Sequence, residues 1–297
     1  LSRAFHFAAC LVIVATLVVD RIVVAPTAGI AAQRWRPIAR WLLLLALPAA
    51  LMSGIAWFSA IAADMSGLPP AQALQRPILQ LVWTKTHFGG LWELRLVLWA
   101  ATAVFSLARY SARLSTPATW LALLCGSALS VSLAWAGHGL FGNPVGWHLL
   151  ADGTHLLIAG FWPAGLLPFA LLFSRLYRVA SPEQRVCVIT LTRRFSAMSL
   201  ASVALLAVTG LANSWFLVGP PSNLWRTGYG RVLLGKIALF AIMVGIGAIN
   251  LLRLKPRVSD ETAAAQLRFN VRAEALLGAG VVILVAVLGL LQPACCQ

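Results

Sequence analysis

The chain has 297 residues, of which 60% are apolar and only 10% charged, and its 23 Lys and Arg against 8 Asp and Glu give a net charge of +15. Soluble globular chains carry about 25% charged residues, so this composition excludes a water-solvated domain and points to a chain solvated by lipid. Within a bilayer, backbone polar groups must be satisfied inside helices or a closed barrel; the long unbroken apolar runs lack the alternation of a barrel, which leaves an all-α polytopic bundle.

Apolar runs of about 20 residues predict eight transmembrane helices, near 3–25, 38–62, 88–109, 117–138, 147–173, 194–218, 230–252 and 271–292. The first run, Phe5 to Ala25, is long enough to span and shows no small-residue cleavage site. Turn chemistry marks the breaks: Pro26, Gly67-Leu68-Pro69-Pro70, Pro117, Gly142-Asn143-Pro144, Pro182, Gly219-Pro220-Pro221 and Pro256. The longest outer connection, residues 64–87, is expected to hold a short interfacial helix around Leu74 to Trp83. Residues 1–297 read as a single transmembrane domain with no separate soluble domain, low-complexity tract or obvious internal repeat.

The basic residues lie between apolar runs, so the positive charge reads as a topology signal and not as a nucleic-acid surface. One set of connections holds Arg21, Arg34, Arg36, Arg40, Arg109, Arg113, Arg175, Arg178, Arg185, Arg193, Arg194, Arg253, Lys255, Arg257, Arg268 and Arg272, against seven Lys and Arg on the opposite set. The positive-inside rule places the larger set in the cytoplasm. Both termini then face outward, into the periplasm if the protein sits in a bacterial inner membrane.

This topology puts all five histidines in the outer third of the membrane or at its outer interface. His6 lies near the outer end of the first helix, His87 begins the third, His138 closes the fourth, and His148 and His155 lie in the outer part of the fifth. His148, Asp152 and His155, spaced i, i+4 and i+7, stack on one helical face, and His6 and Cys10 are again four apart. Ionisable groups inside a membrane face the bundle interior and mark function by default. Imidazole, thiolate and carboxylate are ligands that copper accepts, and Asp152 also suits a supporting role on a ligating imidazole. The candidate metal residues are therefore His138, His155, His87, Asp152, His148, His6 and Cys10, with interhelical hydrogen bonding as their structural alternative.

Other polar or soft residues carry less. Cys295 and Cys296 form a vicinal pair on the outer side, and Met52, Met65, Met198 and Met243 are scattered without a metal-box spacing. Trp57, Trp83, Trp92, Trp135, Trp147, Trp162, Trp215 and Trp225 favour the outer half, as an interfacial belt does. Asp20 and Glu274 are expected near the cytoplasmic interface, and Asn213 and Asn250 as glue between helices. The sequence carries no nucleophile–base pair, phosphate-cradling Gly loop or CxxC framework, so a non-enzymatic role is expected.

Several stretches taken together resemble the copper resistance protein D (CopD) family of bacterial inner-membrane proteins. They are Thr86-His87-Phe88-Gly89 with Trp92-Glu93-Leu94-Arg95-Leu96, Ala136-Gly137-His138-Gly139, Asp152-Gly153-Thr154-His155-Leu156, and Phe161-Trp162-Pro163-Ala164-Gly165-Leu166. Arg194-Phe195-Ser196, Thr209-Gly210-Leu211-Ala212-Asn213, Tyr229-Gly230-Arg231-Val232-Leu233-Leu234-Gly235-Lys236, Asn250, Pro256 and Leu267-Arg268 to Glu274 extend the likeness over most of the chain. One departure is Ala164, where the family tends to have Gly. The resemblance implies eight helices and a part in moving copper from periplasm to cytoplasm, with the family's histidine segments falling on His87, His138 and His155. A periplasmic copper-binding protein is then a natural partner, besides the lipid bilayer. The alternative reading is a haem b cytochrome that uses two of the same histidines as axial ligands.

Overall fold

The computed structural model describes residues 1–27, 29–111, 113, 115–137, 145–177 and 181–296. Among them there is no strand, and eight helices are long and apolar enough to cross a membrane.

Helix α1 (Ser2–Val18) continues through a π-helical segment, Val19–Val24, and a 3-10 turn, Ala25–Thr27. Helix α2 (Gly29–Ser66) returns, and two short helices, α3 (Pro70–Ala73) and α4 (Arg76–Lys85), fill the long connection where an interfacial helix is predicted. Helix α5 (His87–Ala108) and helix α6 (Ser115–Val131, extended by a 3-10 segment to Ala136) complete the first four spans. The fifth span is broken into α7 (Val145–Phe161) and α8 (Leu166–Tyr177). Pro163 lies in that break, where it has no N–H to give to the helix ladder, and the Ala164 N–H reaches back five residues to Ala159 O at 3.1 Å. Helix α9 (Pro182–Val218), the short α10 (Asn223–Arg226), α11 (Gly228–Ile249, prolonged by π and 3-10 turns to Arg257) and α12 (Glu261–Leu288) follow, with a last turn at Ala294–Cys296.

Helices α2 and α9 extend well beyond the predicted spans. At 38 residues, α2 is about 57 Å long, roughly twice the hydrocarbon thickness. Hydropathy registers only the stretch that needs lipid; Arg34, Arg36 and Arg40 continue the same helix past it. Ser181 and Gln184 form a capping box that starts α9 well before its apolar run.

Helix α1 is the most buried span and forms the axis of the bundle, packed on α2, α6, α7 and α12. The large apolar side chains left exposed, such as Leu45, Val97, Leu124, Leu211 and Leu276, lie on the outside, where hydrocarbon is their solvent.

Polar contacts tie each end of the bundle. At one end Arg3 donates to Gly289 O at 2.6 Å, and Asn223 donates to Val218 O at 2.9 Å and Ala294 O at 3.0 Å. At the other, Asp20 accepts from Arg109 at 3.0 Å and from the Trp35 indole at 2.5 Å. A directed chain, Gln266 to Asn270 to Asn250 to Glu274, links α12 with the end of α11 through steps of 2.9, 2.7 and 2.7 Å. Asn250 is thus interhelical glue, as its sequence context suggests, and Asp20 is ion-paired.

Candidate functional site

Helix α7 carries His148, Asp152 and His155, and its antiparallel partner α9 meets them rung by rung. The His148 ring, fully buried, stacks on Phe216 at 4.8 Å; Asn213 donates to Asp152 Oδ1 at 3.3 Å; and His155 Nδ1 lies 2.9 Å from Thr209 Oγ1. The stacked face read from the i, i+4, i+7 spacing is therefore one side of a helix–helix seam.

The hydrogen bonds fix the tautomer of His155. Thr209 gives its single hydrogen to Leu205 O at 2.7 Å, so its oxygen must accept from His155 Nδ1–H. The lone pair then resides on Nε2, and Lys236 Nζ from α11 faces it at 3.4 Å. Asp152 interacts electrostatically with His148, Lys236 and Arg3.

A second centre lies across the bundle and was predicted only in part. His6 Nδ1 is 2.8 Å from Ala50 O, which can only accept, so Nδ1 carries the hydrogen here too. The Nε2 lone pair receives the Arg95 guanidinium, and Cys10 Sγ lies 3.7 Å from the same nitrogen. Arg95 is 1% exposed; it also donates to Leu129 O at 3.1 Å and Ser132 Oγ at 2.5 Å, and no carboxylate pairs with it among the described residues. Trp57 and Trp92 wall the imidazole at 5.6 and 5.5 Å. Buried Trp92 Nε1 and Arg95 Nε have no hydrogen-bond partner among the described residues, and each such orphan costs about 1–3 kcal/mol.

Of the remaining predicted residues, one lies apart and one is not described. His87 is exposed at the start of α5, and His138 lies outside the described residues. Among the described residues no group of three or more His, Cys, Asp or Glu side chains is arranged to hold a metal ion. His155, Asp152 and His148 share one seam, whereas His6 and Cys10 form a separate pair. Cys295 and Cys296 hold their sulfurs 3.2 Å apart at the Arg3 end; partial burial and the adjacent sulfur push the Cys295 thiol above its usual range.

The sequence points to Glu93 and Arg95 as residues that could pair with other helices, and Arg95 does so, but neither its place beside His6 nor that of Lys236 beside His155 is foreseen. The available signal was a basic residue within an apolar span, several residues from its end, where snorkelling to the interface is hard.

Fold and centres together define a polytopic helical membrane protein in which two interior histidines, His6 and His155, each face a built-in cation. Residues 1–147 match the family described as copper resistance protein D-like, N-terminal domain, and residues 189–288 match copper resistance protein D. The chain is similar to "Copper resistance protein D" of Pseudomonas syringae pv. tomato, 33% identical over 232 residues covering 73% of this chain and 72% of that one. It is also similar to "Copper transport protein CutJ" of Bacillus subtilis, 30% identical over 68% of this chain but only 36% of the longer relative. "Inner membrane protein YebZ" of Escherichia coli is 28% identical over 70% of each chain. The chain belongs to the copper resistance protein D family. No solved structure matches it.

Proposed function

We propose that this chain handles copper in a bacterial inner membrane, taking the ion from the periplasm at the Arg3 end of the bundle and passing it towards the cytoplasm. The observation that carries the reading is His155: Thr209 orients its ring, and its one lone pair faces a side-chain cation, Lys236. A hydrogen-bonded partner on one ring nitrogen is what prepares the other as a metal ligand. Copper accepts imidazole, thiolate and carboxylate donors, so Asp152 and His148 complete the seam, while His6 with Cys10, His87 and His138 supply further donors on the same side of the membrane. The names of the relatives, which speak of copper resistance and copper transport, support the cargo. The preponderance of Lys and Arg at the Asp20 end supports the orientation.

In this reading Lys236 holds the place of the incoming cation. Copper reaches Nε2 only when the ammonium swings aside, and Asp152, which already interacts electrostatically with Lys236, is the acidic group on the same seam. The test is uptake of radioactive copper by cells expressing the full chain. His155→Ala should reduce copper accumulation to that of cells lacking the protein, with equal amounts of protein in the membrane. Accumulation unchanged by His155→Ala would overturn the reading.

A further inference from the structure

The His6 and His155 centres are built alike, and the likeness extends to the elements that carry them. Each cation follows a sharp corner of the same chemistry. Thr86 Oγ1 caps α5 by accepting from Gly89 N at 3.0 Å, and Thr227 Oγ1 caps α11 by accepting from Gly230 N at 2.9 Å. A Cβ on Gly89 would overlap the Trp83 carbonyl oxygen, and one on Gly230 that of Asn223, so both corners need glycine for the same close approach. Nine residues after each threonine stands the cation, buried Arg95 or half-buried Lys236, followed by Leu96-x-Leu98-Trp99-Ala100 or Ile237-x-Leu239-Phe240-Ala241.

Each cation faces the Nε2 of a histidine, and each histidine leans on a hydroxyl–glycine pair of the neighbouring antiparallel helix. Ser53 Oγ is 3.4 Å from His6 Nδ1, and Thr209 Oγ1 is 2.9 Å from His155 Nδ1. The adjacent glycines leave room for the rings: a Cβ on Gly54 would come within 3.1 Å of His6 Cε1, and one on Gly210 within 3.6 Å of His155 Cε1. Histidine, hydroxyl–glycine pair, threonine corner and cation occur in this order twice along the chain.

Packing repeats with them. Helices α1, α2, α5 and α6 pair as α1 with α2 and α5 with α6; α7–α8, α9, α11 and α12 pair as α7 with α9 and α11 with α12. Helix α1 touches α6 and also α12, while α7–α8 touches α12 and also α6. These contacts exchange under a twofold rotation about the α1–α7 contact. The first helix of each set runs in the same direction, so the axis lies along the membrane normal, as in transporters made of parallel repeats.

We infer that the chain is a tandem of two four-helix units of one design, and that His6 Nε2 and Cys10 Sγ form a second cargo site for a soft monovalent ion, the counterpart of the His155 site. This rests on the copper reading above. The 3.7 Å between nitrogen and sulfur accommodates one ion with bonds of about 2.0–2.3 Å to each, at a bent angle that leaves a further position open. Arg95 occupies that position in the resting protein, as Lys236 does in the other unit. On binding, Nε2 donates its lone pair, the thiol sulfur forms the metal bond and releases its proton to water, and the guanidinium moves off. A thiol in one unit and a carboxylate in the other make the first site the softer of the two.

The test uses the full chain in detergent with Cys295 and Cys296 replaced by serine, so that the exposed dithiol does not compete. Copper(I) is titrated against a chromophoric chelator, and bound copper is examined by X-ray absorption. Arg95→Leu should tighten one equivalent by about tenfold or more, and Lys236→Leu a different one; leucine removes the cation without adding a copper ligand. Cys10→Ser should abolish the gain from Arg95→Leu only, and His155→Ala the gain from Lys236→Leu only. Because Arg95→Leu removes four interhelical contacts and can prevent folding, the background protein supplies a second readout: a copper–sulfur contribution that Cys10→Ser removes. Tightening by Lys236→Leu together with a copper–sulfur signal unaffected by Cys10→Ser, or none at all, would overturn the second site and leave the copper reading intact. Copper bound through Cys10 but indifferent to His155→Ala in every background would sustain the second site and remove the His155 reading.

Discussion

At the scale of single residues, the interior is governed by charges that lipid cannot solvate. Asp20 shows the principle in its plainest form: its carboxylate accepts from Arg109 and Trp35, with the Arg109 side chain 6% exposed and the Asp20 side chain 16%. Replacing one member of such a pair leaves the other buried and uncompensated, at a cost of about 3–5 kcal/mol. Asp20→Ala should therefore lower the thermal midpoint of the detergent-solubilised protein by many degrees. The double variant Asp20→Ala/Arg109→Met should recover much of the loss, and equal midpoints for the single and double variants would show that the pair is not coupled. His6 and His155 obey the same rule in another way. Neither can be left with an unpartnered lone pair facing hydrocarbon, and each is capped by a cation, which satisfies the nitrogen and can be displaced by a metal.

At the scale of elements, helix existence was legible because long apolar runs have no other solution in a bilayer. The extents were not, since α2 and α9 run on as charged helices past the apolar stretch that hydropathy detects. The break between α7 and α8 was written in Pro163, yet the flanking residues are apolar enough to read as one span. The face of α7 was legible from its spacing; its partner Thr209 was not, because register between helices distant in sequence is set by packing. The threonine corners are where an element's shape depends on one small residue. Gly89→Ala or Gly230→Ala forces the added methyl into a backbone carbonyl oxygen, which has no flexible end to move aside. Each substitution should cost about 1–3 kcal/mol, read as reduced folded yield and a lower thermal midpoint. Gly90→Ala, with open space around its Cβ position, should match the wild type; a similar loss there would contradict the argument.

At the scale of the whole molecule, the internal repeat was invisible to a reading of the sequence by hydropathy. Its shared features are a handful of polar and small residues separated by stretches of interchangeable apolar ones, and the two histidines arise at different depths in their helices, His6 near the start of α1 and His155 midway along α7. The candidate copper ligands were legible as residue types but not as a constellation, because the chain divides them between two units. The most direct measurement of the central claim is the copper content and absorption spectrum of the detergent-purified protein, wild type beside His155→Ala. The account predicts stoichiometric copper in the wild type, a clear loss in the variant at equal folding, and no Soret band. A Soret band with no copper, or copper content indifferent to His155→Ala, would contradict it.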